Sequence, residues 1–239
     1  MIQRHNIQGI PTIIIYKDQL ETAVNKGCIL CYHGLTSSKD AWIHDLELIA
    51  EKGFIVVGVD NVGHGEREDP DFYQKYSQDN PDFWKNFVAA IGATAAETPS
   101  LIDELVRLGF ALENRIGGLG ASMGGLVLYS AILLEPRLST VVTMVSSPEW
   151  WGFEHPDSPH HHIEKFSRVN LFSITAGKDT TVPNTYTKIF HDRLQERFSN
   201  YQQRFAYQDY PLSDHLLNPA WDEAWNSAIK WFEIHLAKQ

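Results

Sequence analysis

The stretch Gly-Leu-Gly-Ala-Ser-Met-Gly-Gly, residues 118–125, sets Ser122 between glycines two positions to either side. Residues 120–124 have the form Gly-x-Ser-x-Gly, and they lie between a strand-like segment, 115–122, and a helix-like one, 123–134. A chain that turns straight from strand into helix holds its apex residue in strained backbone geometry and tolerates only small neighbours. The turn lifts the Ser122 hydroxyl out over the sheet edge and onto a helix N-terminus, a placement suited to nucleophilic attack on an acyl carbon. A glycine-rich packing turn or a phosphate loop is the bland alternative. The phosphate reading lacks a Lys after the glycines and the G-x-G-x-x-G register.

A serine hydroxyl is a weak nucleophile, so it needs a base within hydrogen-bond reach and a third group that orients the base. In a parallel sheet both come from later strand ends, acid before histidine. Asp179, in Ala-Gly-Lys-Asp-Thr-Thr-Val-Pro, ends the strand that begins near Asn170, and His215, in Ser-Asp-His, follows the last strand. Glu149 is the rival acid; Asp214 is too close in sequence to His215 to orient it. Of the other histidines, His191 falls mid-helix, and His5 and His235 are near the termini.

Acyl transfer also needs donors for the charge that develops on the carbonyl oxygen. The Met123 N–H, first after the serine, is one, and the Leu35 N–H, in the loop after Cys-Ile-Leu-Cys-Tyr-His-Gly, is the other. His33 is better placed to brace that loop than to move a proton.

These groups must be positioned by the elements around them. Apolar runs at 27–33, 54–60, 139–147 and within 170–179 read as strands, the central ones buried on both faces. Residues 12–16 form an early strand, in a hairpin with the segment before it, and 203–210 alternates as the final strand. Helical patterns cover Asp40–Lys52, about 81–108 with a break near Thr98-Pro99, 123–134, about 183–198, and the tail from Pro219, where Trp221, Trp225, Ile229 and Phe232 share a side. Residues 61–80 read as polar loop. Alternating strands and helices imply an α/β fold, with a mostly parallel sheet covered by helices on both faces and a site at the carboxyl ends of the strands. With 239 residues and no linker or repeat, the expectation is one domain.

Thirty acidic against twenty basic side chains give a formal charge of −10, with no run of Lys and Arg. That argues against nucleic acid and anionic membrane surfaces as partners. A polar start and no apolar stretch of membrane-spanning length make a cytoplasmic location the default. Cys28 and Cys31 have redox-pair spacing, but three residues apart on a strand they point to opposite faces, so neither a disulfide nor a shared metal is expected. Adjacent His160, His161 and His162 cannot easily converge on one ion, and no metal or cofactor is called for.

Together the segments Tyr-His-Gly-Leu-Thr-Ser-Ser-Lys, Gly-Val-Asp-Asn-Val-Gly-His-Gly-Glu-Arg-Glu, the serine turn, the Asp179 turn and Ser-Asp-His resemble the α/β-hydrolase superfamily over nearly the whole chain. The His-Gly-x-x-x-Ser-Lys and Asp-x-x-x-His-Gly details resemble small single-domain carboxylesterases close to the dienelactone hydrolase and prolyl-oligopeptidase branches. The resemblance implies a Ser122-His215-Asp179 triad, with the Leu35 and Met123 amides as oxyanion donors. Dienelactone hydrolases proper use cysteine where this chain has Ser122, which favours simple ester hydrolysis. The segment from Pro148 to Val169 stands where this superfamily inserts a cap. It is expected to form a short flap that limits substrate size, with Trp150 and Trp151 walling an apolar acyl pocket or, equally, packing in the core. His64 and Glu66 are expected to shape the mouth of the site. The expected function is hydrolysis of small or short-acyl esters; a peptidase or carbon–carbon hydrolase of the same fold, or a non-catalytic binding protein, are the alternatives.

Overall fold

The structure, a computed structural model, describes residues 1–237. Its first two strands, β1 (Ile2–Ile7) and β2 (Ile10–Ile15), form an antiparallel hairpin. The turn between them puts Gln8 and Gly9 at φ 52° and 86°, the left-handed pair that matches the twist of a two-residue hairpin. A short helix, α1 (Leu20–Lys26), leads into β3 (Cys28–Tyr32), followed by α2 (Ile43–Ala50) and β4 (Ile55–Val59). The chain then passes through a short helix, α3 (Phe72–Lys75), and a long one, α4 (Phe83–Arg107), to β5 (Ile116–Ala121) and α5 (Met123–Leu134). The remaining elements are β6 (Leu138–Met144), β7 (Asn170–Ala176), α6 (Asn184–Arg197), β8 (Phe205–Tyr210) and α7 (Trp221–His235).

The eight strands form one sheet in the order β1-β2-β4-β3-β5-β6-β7-β8, and every pairing from β4 to β8 is parallel. All residues of β3, β4 and β5 are buried, as strands covered on both faces must be. Side chains alternate between two cores. Cys28, Leu30 and Tyr32 join the core that α4 and α5 cover, whereas Ile29 and Cys31 join the core that α2 and α7 cover. The two cysteine thiols therefore lie on opposite sides of the sheet, both free, and burial pushes that of Cys28 up to about 12.

Several expectations are corrected. The helix expected over Asp40–Lys52 occupies only Ile43–Ala50, and Trp42 stands before it. The polar 61–80 region contains α3. Pro99 does not break α4, because a stripe including Ile91, Ala95, Thr98, Leu101 and Leu105 is buried continuously on either side of it; packing outweighs the single lost hydrogen bond. The 148–169 segment contains only two short 3-10 turns, 159–161 and 163–168, held down by buried Ile163, Phe166 and Val169.

Candidate active site

β5 ends at Ala121 and α5 begins at Met123, so Ser122 alone makes the turn between them. It sits at φ 53°, ψ −122°, a region that a residue with a side chain occupies only when its surroundings force it. Two contacts supply that force. A Cβ on Gly120 would lie 2.3 Å from the Gly124 carbonyl oxygen, and one on Gly124 would lie 1.9 Å from that of Tyr32. Only glycine allows strand, helix and the neighbouring β3 to approach so closely.

His215 lies in the loop between β8 and α7, and its Nε2 is 2.9 Å from Ser122 Oγ. Its Nδ1 is 2.7 Å from Oδ2 of Asp179, which follows β7. The other carboxylate oxygen, Oδ1, accepts the N–H groups of Thr181 and Val182 at 2.8 and 2.9 Å. An ionised carboxylate only accepts, so His215 donates from Nδ1 and presents the Nε2 lone pair to the Ser122 hydroxyl. The Asp179 side chain is 2% exposed and that of His215 24%, so the carboxylate is sealed while the imidazole reaches the surface of the site. The loops carrying them are tied together by the Lys178 N–H donating to Ser213 O at 2.9 Å. Glu149, the rival acid, makes no hydrogen bond to His215; the Ser147 side chain accepts its backbone N–H at 3.0 Å.

Met123 opens α5 directly after Ser122, so its N–H has no acceptor within the helix. The loop after β3 runs alongside: a Cβ on Gly34 would lie 3.6 Å from Ser122 Cβ, which brings Leu35 to the same place. His33 braces this loop, donating from Nδ1 to Gly34 O at 2.8 Å and accepting the Asn61 N–H at Nε2, 3.1 Å away. Burial lowers its pKa to about 4, so it stays neutral and can play both parts.

A model of the alpha/beta hydrolase family matches residues 28–236, from β3 to the end of α7. The chain belongs to the α/β-hydrolase family. It is similar to YitV of Bacillus subtilis (strain 168), provisionally named as an esterase, at 25% identity over 98% of this chain and 99% of that one. Its fold is similar to that of TT1662 from Thermus thermophilus, with a TM-score of 0.80 at 20% identity over 98% of both chains. A Klebsiella pneumoniae protein provisionally assigned as a dienelactone hydrolase matches with a TM-score of 0.73 at 17% identity, over 97% of this chain and 98% of that one.

The sheet edge of this hydrolase opens into a cavity of about 1190 Å³ that includes Ser122 and His215 in its lining. Trp151 lines it, in edge contact with Trp84 at 5.0 Å between ring centroids. Trp150 does not: it is 5% exposed and packed in the core, its backbone N–H bonded to Ser158 Oγ at 3.0 Å. Trp151 is also the sole lining residue from the 148–169 segment. Most of that wall comes from the end of α3 through the start of α4, including Tyr76, Phe83, Trp84 and Phe87.

His64 and Glu66 do not line the cavity either. His64 is fully buried, donates from Nδ1 to Val62 O at 2.9 Å and packs edge-on against Phe72. Glu66 pairs with Lys39, a residue whose role the sequence did not disclose. The Lys39 side chain is 1% exposed and reaches the wholly buried Asp60 at 3.2 Å. Burial opposes its charge, but the hydrogen bonds it donates to Glu66, Asp40 and Asp60 outweigh that and raise its pKa above the ordinary lysine range. Asp60 in turn accepts the backbone N–H groups of Lys39 and Glu66, joining the loops after β3 and β4. Among the described residues, no cluster of His, Cys, Asp or Glu is set to hold a metal, and no helix is long and apolar enough to cross a membrane.

Proposed function

We propose that this hydrolase is a serine carboxylesterase that turns over small, short-acyl esters through an acyl-enzyme. The observation that carries the reading is the unbroken relay from Ser122 Oγ to His215 Nε2 and from His215 Nδ1 to Asp179. The esterase name of the B. subtilis relative supports the choice of substrate.

In the first half-reaction Ser122 Oγ bonds to the ester carbonyl carbon as its proton passes to His215 Nε2. The oxygen that becomes negative is received by the Leu35 and Met123 N–H groups, each such donor contributing about 3–4 kcal/mol to the barrier reduction. Asp179 keeps the imidazole in its tautomer and stabilises the imidazolium. The carbon–oxygen bond to the alcohol then breaks, and the Nε2 proton leaves with the alcohol. Water repeats the sequence: His215 takes its proton, its oxygen attacks the acyl carbon, and Ser122 recovers the proton as the acid departs.

Ser122→Ala is expected to abolish hydrolysis of p-nitrophenyl acetate and butyrate with its thermal unfolding transition unchanged. A fluorophosphonate is expected to label the native chain with one equivalent, at Ser122. Full turnover by the alanine variant would remove Ser122 from the role.

A further inference from the structure

The cavity crosses the sheet from one face to the other. Trp42 and Trp221, whose rings meet at 6.1 Å, pack on the core between the sheet, α2 and α7. Trp84, Phe83 and Trp151 pack on the opposite core, between the sheet, α4 and α5. All five line the same cavity, and Ser122, at the end of the central β5, lies between the two groups. The site therefore has two aromatic lobes, one on either side of the nucleophile.

The second observation is chemical. In a chain with a net charge of −10, the described residues lining this cavity include no Asp, Glu, Lys or Arg. Polar contacts come from hydroxyls and amides, such as Thr36, Thr181 and Asn218. A charged substituent entering either lobe would shed water and find no opposite charge, which is heavily unfavourable.

The lobes can be assigned to the two halves of an ester. The alcohol oxygen must come within hydrogen-bond reach of His215 Nε2 to receive its proton. The His215 loop also supplies Leu216 and Asn218, and α7 follows with Trp221, so the Trp42–Trp221 lobe is the alcohol side. The carbonyl oxygen turns towards Leu35 and Met123, which leaves the Trp84–Trp151 lobe for the acyl chain. Trp221 is fixed for this task by its Nε1–H donating to Asp45 at 3.2 Å and by stacking on Trp225 with centroids 5.4 Å apart.

Resting on the reading of Ser122 as nucleophile, we infer that the preferred substrates are uncharged esters apolar on both sides, an aryl or similarly flat alcohol lying against Trp42 and Trp221 and a medium acyl chain among Trp84, Phe87 and Trp151. Esters with a carboxylate or ammonium on either half are excluded. The short-acyl esters then fill only part of the site.

Two comparisons test this on the full chain. In the first, 2-naphthyl methyl succinate is set against 2-naphthyl hemisuccinate and 2-naphthyl 4-aminobutyrate; kcat/KM is expected to be at least 100-fold lower for both charged esters, and values within threefold would overturn the inference. In the second, Trp221→Leu and, as an independent probe of the same lobe, Trp42→Leu are expected to lower the naphthyl acetate to ethyl acetate ratio of kcat/KM at least tenfold. Trp151→Leu is expected to lower the ethyl hexanoate to ethyl acetate ratio instead. Equal effects on both ratios by variants of the two lobes would overturn the assignment. Failure of the esterase reading itself is distinguishable, since the native chain would then hydrolyse none of these esters, or Ser122→Ala would hydrolyse naphthyl acetate as fast as the native chain.

Discussion

Replacing Asp179 by Asn should disable the site without disturbing the fold, for a reason visible in its hydrogen bonds. Oδ1 is held by two backbone donors, the N–H groups of Thr181 and Val182 at 2.8 and 2.9 Å. An asparagine can satisfy both only by placing its carbonyl oxygen there, which turns its NH₂ towards His215 Nδ1. The flipped amide would set donor against both N–H groups; the exposed Thr181 N–H can turn to water, but the part-buried Val182 N–H left unpaired costs roughly 1–3 kcal/mol. The NH₂ therefore stays facing Nδ1, which must accept, and the ring proton moves to Nε2. An Nε2–H faces the Ser122 hydroxyl as a donor and cannot remove its proton. The same exchange in a Ser-His-Asp triad costs about 10⁴ in kcat, or roughly 5 kcal/mol of barrier. The measurement is kcat for p-nitrophenyl acetate with thermal unfolding as the control, together with ¹⁵N chemical shifts of labelled histidine to read which ring nitrogen carries the proton. A variant that keeps kcat within tenfold of native, or whose His215 retains its proton on Nδ1, would refute the reasoning.

Other expectations follow from buried groups. Lys39→Met should lower stability in urea unfolding by about 3–5 kcal/mol, because it strands the carboxylate of the wholly buried Asp60; a loss below about 1 kcal/mol would show that the backbone donors to Asp60 suffice. Burial holds His33 at about 4 and His191 at about 3, both below the ordinary 6.5, so the unfolded chain binds their protons first. Stability is then complete above pH 6.5 and falls with acidification, by about 1 kcal/mol per pH unit for each, until the folded values are passed. His191→Leu should reduce that slope markedly between pH 6.5 and 4.5 in urea titrations, and an unchanged slope would contradict the assignment. Gly124→Ala should fail to give soluble folded protein, since its methyl would lie 1.9 Å from the Tyr32 carbonyl oxygen; a folded variant with a native thermal transition would mean that the turn has slack.

What the sequence disclosed and what it withheld separate along a physical line. The central strands were legible because burial on both faces demands uninterrupted apolar runs, and the serine turn because its close backbone approaches admit nothing larger than glycine. Asp179 and His215 were legible through chain order, since a parallel sheet delivers successive strand ends to one edge. The helix α1 was not, having a single buried residue, Ala23, and hence no apolar stripe to read. Gly117 and Gly118 had no account until the helices were placed: a Cβ on the first would lie 3.0 Å from the Phe232 ring, and one on the second 2.5 Å from Leu128. The cavity wall was hidden for a related reason. Tyr76, Phe83, Trp84 and Phe87 occupy a polar-looking loop and the first turns of α4, and their aim depends on where that long helix crosses the sheet. Aromatic residues at 150 and 151 looked equivalent in sequence, yet one packs in the core and the other lines the cavity, because adjacent residues in an irregular segment share no periodicity that fixes which way they face. Local sequence thus specifies the candidate triad, whose geometry is dictated by the backbone beneath it. The surfaces that select a substrate come from elements far apart in the chain, so their character emerges only once the two faces of the sheet are assembled around Ser122.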